Sequence, residues 1–152
     1  MGQINTARVI VGGLVAGVVI NIFESVLNGV VLAKQWEEVM RGLGKTPTFS
    51  GSQILGFIGT GFATGLFLVW LYAAIRSRYG AGPKTAMCAG LAVWFIGYVL
   101  PNIGFLIMDL FPASLLLTGT AVGLIETLAA GLAGGALYKE SGEASAAPPA
   151  HA

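Results

Sequence analysis

The chain has 152 residues, 55% of them hydrophobic and only 10% charged, with a mean hydropathy of +0.80 and a net charge of +1. A soluble domain usually carries about a quarter charged residues, so the composition argues against one, and the near-neutral balance argues against a nucleic-acid partner. One cysteine, Cys88, excludes an internal disulfide; the single histidine, His151, leaves no Cys–His pair, H-E-x-x-H or Glu-x-x-His arrangement, so neither an enzyme nor a bound metal or cofactor is expected.

Four apolar runs approach or exceed the roughly 20 residues a helix needs to cross a bilayer: Val9–Leu32, Ser52–Ile75, Ala86–Met108 and Leu115–Leu137. The expected fold is all-α: an antiparallel four-helix transmembrane bundle, one membrane domain over residues 9–138, with a short amphipathic helix between the first two spans. Residues 1–8 form a short N-terminal segment. Its MGQINT matches the N-myristoylation pattern, a short match that adds little to a chain with four spans. The first run is longer than the apolar part of a secretory signal, and no small-x-small cleavage site closes it.

Glu24 lies inside that first span. At 100° per residue, Gly13, Gly17, Asn21, Glu24 and Asn28 fall within a sector of roughly 80°. The segment 34–44 follows, with Trp36, Val39, Met40 and Leu43 at i, i+3, i+4 and i+7 and charges on the other faces. Such a helix could serve as a lid or docking element; the reading favoured here lays it in the outer interface, with Trp36 at headgroup depth.

The second span contributes Thr60 and the close-packing pair Gly61-x-x-x-Gly65, and RSRYGAGPK closes it. Arg8, Arg76, Arg78, Lys84 and Lys139 then share one side, against Lys34, Arg41 and Lys45 on the other, which places both termini in the cytoplasm. In the third span, GYVLPNIG, Pro101 lacks an N–H and frees the carbonyl of Gly97, making a hinge beside Asn102. Asp109, at the outer end of that span, reads as a boundary residue.

In the fourth span Gly119, Gly123, Glu126, Ala130 and Gly134 share a sector, and Gly13-x-x-x-Gly17, Gly119-x-x-x-Gly123 and Gly131-x-x-x-Gly135 repeat the small-residue spacing of tight helix contacts. Residues 139–152, rich in Ala, Ser, Pro and Glu, should be disordered.

Counted at 1.5 Å per residue, Glu24, Thr60, Asn102 and Glu126 lie about 13, 14, 10 and 18 Å from the outer ends of their spans, one polar layer to which every helix contributes. No Lys or Arg lies within a span to pair with either glutamate. A lone carboxylate at mid-bilayer costs about 3 kcal/mol or more, which favours the neutral acid. Two functions fit. In one, the protein is a small transporter or proton/cation conduit, with Glu24 as the protonatable or ion-binding group, Glu126 its partner, and Asn21, Asn28, Thr60 and Asn102 lining the path. In the other it is a non-catalytic accessory subunit of a larger membrane complex or homo-oligomer, its glutamates neutral hydrogen bonders between helices.

The loop pattern Lys34-x-Trp36-x-x-x-Met40-x-x-Leu43-Gly44, set between one span and three Gly-rich ones, resembles small bacterial four-helix membrane proteins grouped as domains of unknown function. The resemblance covers roughly Thr6 to Tyr138 and implies the fold and a bacterial cytoplasmic membrane, but no activity. Small multidrug transporters also have four helices and a Glu in the first span. This chain is longer and shares no further motif with them, so no residue role is carried over.

Overall fold

A computed structural model describes residues 4–140, and every regular element among them is helical. In chain order these are α1 (Thr6–Val26), a π-helical segment (Leu27–Val31), α2 (Ala33–Gly42), α3 (Gly51–Tyr79), α4 (Pro83–Trp94), a second π-helical segment (Phe95–Val99), α5 (Leu100–Ile107) and α6 (Ala113–Leu137). Joined through the π segments, four helical stretches are long and apolar enough to cross a membrane: Thr6–Val31, Gly51–Tyr79, Pro83–Ile107 and Ala113–Leu137. The second runs past the expected Ile75 to Tyr79, which puts Arg76 and Arg78 in its last turn, where cations complement the helix dipole.

Local chemistry sets the helix ends. Asn5 caps α1 by accepting the Arg8 N–H at 3.2 Å, and Ser50 and Gln53 cap α3 reciprocally. The turn from α3 to α4 needs Gly80 and Gly82, at φ +85° and +133°, before Pro83 opens α4.

Packing divides the structure into two halves. Near the chain termini α1 lies against α3 and α6, and α4 against α6 and α3. Glycine makes these approaches possible. A Cβ on Gly12 would stand 2.5 Å from the Gly134 carbonyl oxygen, and one on Gly90 2.7 Å from that of Thr127. Gly13 meets Leu66, Gly65 meets the Gly17 backbone, Gly61 meets Asn21, and Gly131 and Gly135 both meet Ala86. Ala16, Leu68, Val69, Ala89 and Ala130 fill this half without exposure.

In the other half the helices stand further apart: Gly29, Gly97, Gly104 and Gly119 have no neighbouring atom within 4 Å of a would-be Cβ. Gly119, expected to pack a helix, packs none. A second apolar cluster closes this end, with Leu27, Leu32, Leu115 and Leu116 buried beneath Trp36, Val39, Phe105 and Phe111. The α2 helix therefore folds over the helix ends. Its Trp36 ring sits edge-on to Phe111 at 5.8 Å, packed onto the second apolar cluster.

At the opposite end Tyr138 is buried against Tyr72, with Arg76 beside both rings and 3.4 Å from Glu140. The first residues of the expected disordered tail are thus docked. The rest of that tail, including His151, and residues 1–3 lie outside the described residues.

Candidate functional site

The two π segments matter because they re-phase their helices. In each, a backbone N–H reaches back five residues, from Leu32 to Leu27 O and from Leu100 to Phe95 O, which widens the turn. The first segment carries Asn28 and the second carries Tyr98. A π turn stands directly ahead of Pro101: Phe95–Val99 widens the helix just where, within the continuous stretch Pro83–Ile107, a proline without an N–H interrupts the backbone ladder.

Tyr98 is the centre of the site. Its hydroxyl oxygen lies 2.8 Å from Glu24 Oε1 and 2.8 Å from Glu126 Oε1. The other Glu24 oxygen, Oε2, accepts from the Asn28 amide at 2.5 Å, and Asn28 Oδ1 accepts the Trp36 indole N–H at 2.8 Å. One hydrogen-bonded chain therefore runs from α2 through α1 and the third long helix to α6. Glu126 is fully buried, and its Oε2 has no hydrogen-bond partner among the described residues. Glu24, Asn28, Tyr98 and Trp36 keep part of their surface accessible.

The hydrogen count constrains this chain. A phenol has one hydrogen to donate, and a carboxylate has none. Tyr98 can therefore donate to one glutamate only, so the second 2.8 Å contact needs a hydrogen carried by a carboxyl. Without it, two anions would face one phenolic hydrogen in an apolar surrounding. The geometry thus calls for at least one proton held on the pair.

A cavity of about 150 Å³ adjoins the chain. Glu24, Asn28, Tyr98 and Asn102 supply its polar wall; Trp36, Phe105 and Phe111 face them with the leucines of the second cluster. Asn102 is held in place by donating to Thr120 Oγ1 at 2.7 Å and Leu116 O at 3.3 Å.

The other expected residues lie elsewhere. Asn21 donates to Gly17 O and Ile58 O, tying α1 to α3 away from the glutamates. Thr60 is exposed and donates to Gly56 O at 2.9 Å within its own helix. Its depth matches the layer but its direction does not. Tyr98, Trp36 and Thr120 were not among the expected site residues. One signal for Tyr98 was available: it stands four residues before Asn102, the spacing that shares a helix face. No known protein family, curated protein or solved structure matches this chain, so the chemistry rests on its own residues.

Proposed function

We propose that the chain is an integral membrane protein, an antiparallel bundle of four spans with both termini cytoplasmic, and that it is a small proton-coupled transporter. Its coupling site is the Glu24–Tyr98–Glu126 chain. Insertion is supported by large apolar side chains left uncovered on helices of spanning length, such as Ile22 at 59%, Leu55 at 70% and Ile107 at 80% exposure. Soluble monomers rarely carry apolar surface on this scale.

The observation that carries the functional reading is the single phenolic hydrogen between two acids. An ionisable group inside a span is a functional-site candidate by default, and here one of a pair must hold a proton. Glu24 borders the cavity while Glu126 is sealed. Past Glu126, toward the termini, the core is Leu68, Val69, Ala130 and close-packed glycines, with Thr127 bonded to its own helix. That arrangement favours a site loaded from one side over an open pore.

The test is proton uptake into proteoliposomes under an imposed pH gradient, with a mixture of small cations in the lumen for a coupled carrier to exchange. Wild type should acidify the lumen faster than protein-free vesicles, and Glu24→Gln should fall to the vesicle rate while keeping its helical circular dichroism and gel-filtration profile. Equal rates for wild type and Glu24→Gln would overturn the reading.

The assembly reading draws on a different feature. Residues 51–60 of α3 are all exposed, and Gly51, Gly56 and Gly59 face open space, which is room for another helix. Disulfide capture of Gly56→Cys in a Cys88→Ser background would reveal a second copy there.

A further inference from the structure

The cavity beside Glu24 has features that proton storage alone does not use. It holds about 150 Å³, the size of an engineered cavity that admits benzene, so it accommodates a ligand of about six non-hydrogen atoms. Drug-sized molecules need roughly twice that volume or more. Its walls are of two kinds. One presents the Glu24 carboxyl, with Asn28 and Tyr98 fixing it from either side. The other is an aromatic file in which Phe111 packs edge-on with both Trp36 and Phe105, at centroid distances of 5.8 and 5.2 Å.

A carboxyl group and aromatic rings lining one cavity suit one class of ligand, a cation with an apolar surface. Rings attract such a cation through their quadrupoles, and a methylated ammonium keeps that attraction while shedding water readily. An inorganic cation fits less well. Calcium or magnesium takes about six or more converging oxygens, whereas the Asn28 oxygen already accepts from Trp36, which leaves this cavity the side-chain oxygens of Glu24, Tyr98 and Asn102. Among the described residues no cluster of acids, cysteines and histidines is arranged for a metal.

We infer that the cavity binds a small methylated ammonium ion, which takes the place of the proton at Glu24. The exchange conserves charge: the neutral acid releases its proton, and the carboxylate left behind pairs with the incoming cation. Trp36 lines the cavity and touches the ligand. This assignment of substrate class rests on the proton-site reading of Glu24.

The test is isothermal titration of the full chain in detergent with tetramethylammonium chloride at constant ionic strength, alongside a pH dye in weak buffer. Wild type should bind saturably and release up to one proton per cation bound. Glu24→Gln should weaken binding at least tenfold and abolish the release. Phe111→Leu, which keeps the apolar volume, should weaken binding about fivefold. The neutral tert-butyl alcohol, of the same size, and the far bulkier tetrabutylammonium should not compete. Saturable binding that Glu24→Gln leaves unchanged would overturn the inference, as would no binding to folded wild type. In the second case a Glu24 carboxyl that still titrates in the infrared would retain the proton site and remove only the ligand; one that does not would remove both.

Discussion

Glu24 and Glu126, from α1 and α6, share one hydroxyl: Tyr98 Oη is 2.8 Å from a carboxyl oxygen of each. Tyr98→Phe therefore leaves fully buried Glu126 without its hydrogen-bond partner. Orphaning a buried polar group costs about 1–3 kcal/mol, whereas replacing both partners by apolar groups of similar shape is close to neutral. Thermal unfolding in detergent should show Tyr98→Phe clearly destabilised, and Tyr98→Phe/Glu126→Met recovering most of the loss. A double variant no better than the single one would mean that Glu126 is held by something other than this phenol.

Gly12 and Gly134 make the second prediction. Each would bring a Cβ to 2.5 or 2.7 Å from the other's carbonyl oxygen, and a backbone atom cannot swing aside. Gly12→Ala should cost about 2 kcal/mol, in the range of core overpacking. Gly56→Ala, in open space on α3, should be neutral or stabilising by up to about 1 kcal/mol, the helix preference of Ala over Gly. Denaturant titration of both variants checks the contrast.

That glycine contact also marks where reading the chain by pattern stops. The four spans follow from hydropathy and length, and α2 from its 3.6-residue apolar period, because both signals are local. The pairing of glutamates was half visible. A 100° projection put Glu24 with Asn28, and Glu126 with Gly123 and Ala130, on inward faces, but nothing in it joins α1 to α6. Tyr98 supplies the join, and the π turn at Phe95–Val99 shifts its phase relative to α4, so a regular projection carried through from Pro83 misplaces it. Thr60 failed for a simpler reason: depth along a helix is an axial coordinate, and the structure turns Thr60 outward while the adjacent Gly61 meets Asn21. Gly12, Gly90 and Gly134 lie outside the small-x-x-x-small pairs singled out from the sequence, although their contacts are among the tightest.

Arg76 carries the third prediction. Its guanidinium is buried between the Tyr72 and Tyr138 rings, 3.4 Å from Glu140 and within 3.4 Å of the Tyr138 carbonyl. Arg76→Ala should cost about 2–4 kcal/mol, and Arg76→Lys should rescue little, since an ammonium lacks the planar fork that meets rings and oxygens together. Limited proteolysis is a direct readout: release of Tyr138 should make the backbone at residues 137–140 far more susceptible in Arg76→Ala.

Thr60 and Asn102 separate depth from direction in function. Thr60→Val alters an exposed side chain bonded only to its own helix, so proton uptake should match wild type. Asn102→Leu removes the bonds to Thr120 and Leu116 and fills the cavity's polar wall, so uptake should fall severalfold and tetramethylammonium binding with it. A Thr60→Val variant as impaired as Asn102→Leu would place the path on a face of α3 that this structure leaves outside.

The most direct test of the shared proton is infrared difference spectroscopy of the protonated-carboxyl band, titrated in reconstituted wild type, Glu24→Gln and Tyr98→Phe. A proton held between Glu24 and Glu126 and exchanged through the cavity predicts a wild-type band that responds reversibly to pH, is lost or shifted in Glu24→Gln, and moves in frequency in Tyr98→Phe. A band that persists unchanged to strongly alkaline pH, or that ignores the Glu24 substitution, would contradict it and leave the glutamates as sealed hydrogen bonders between helices.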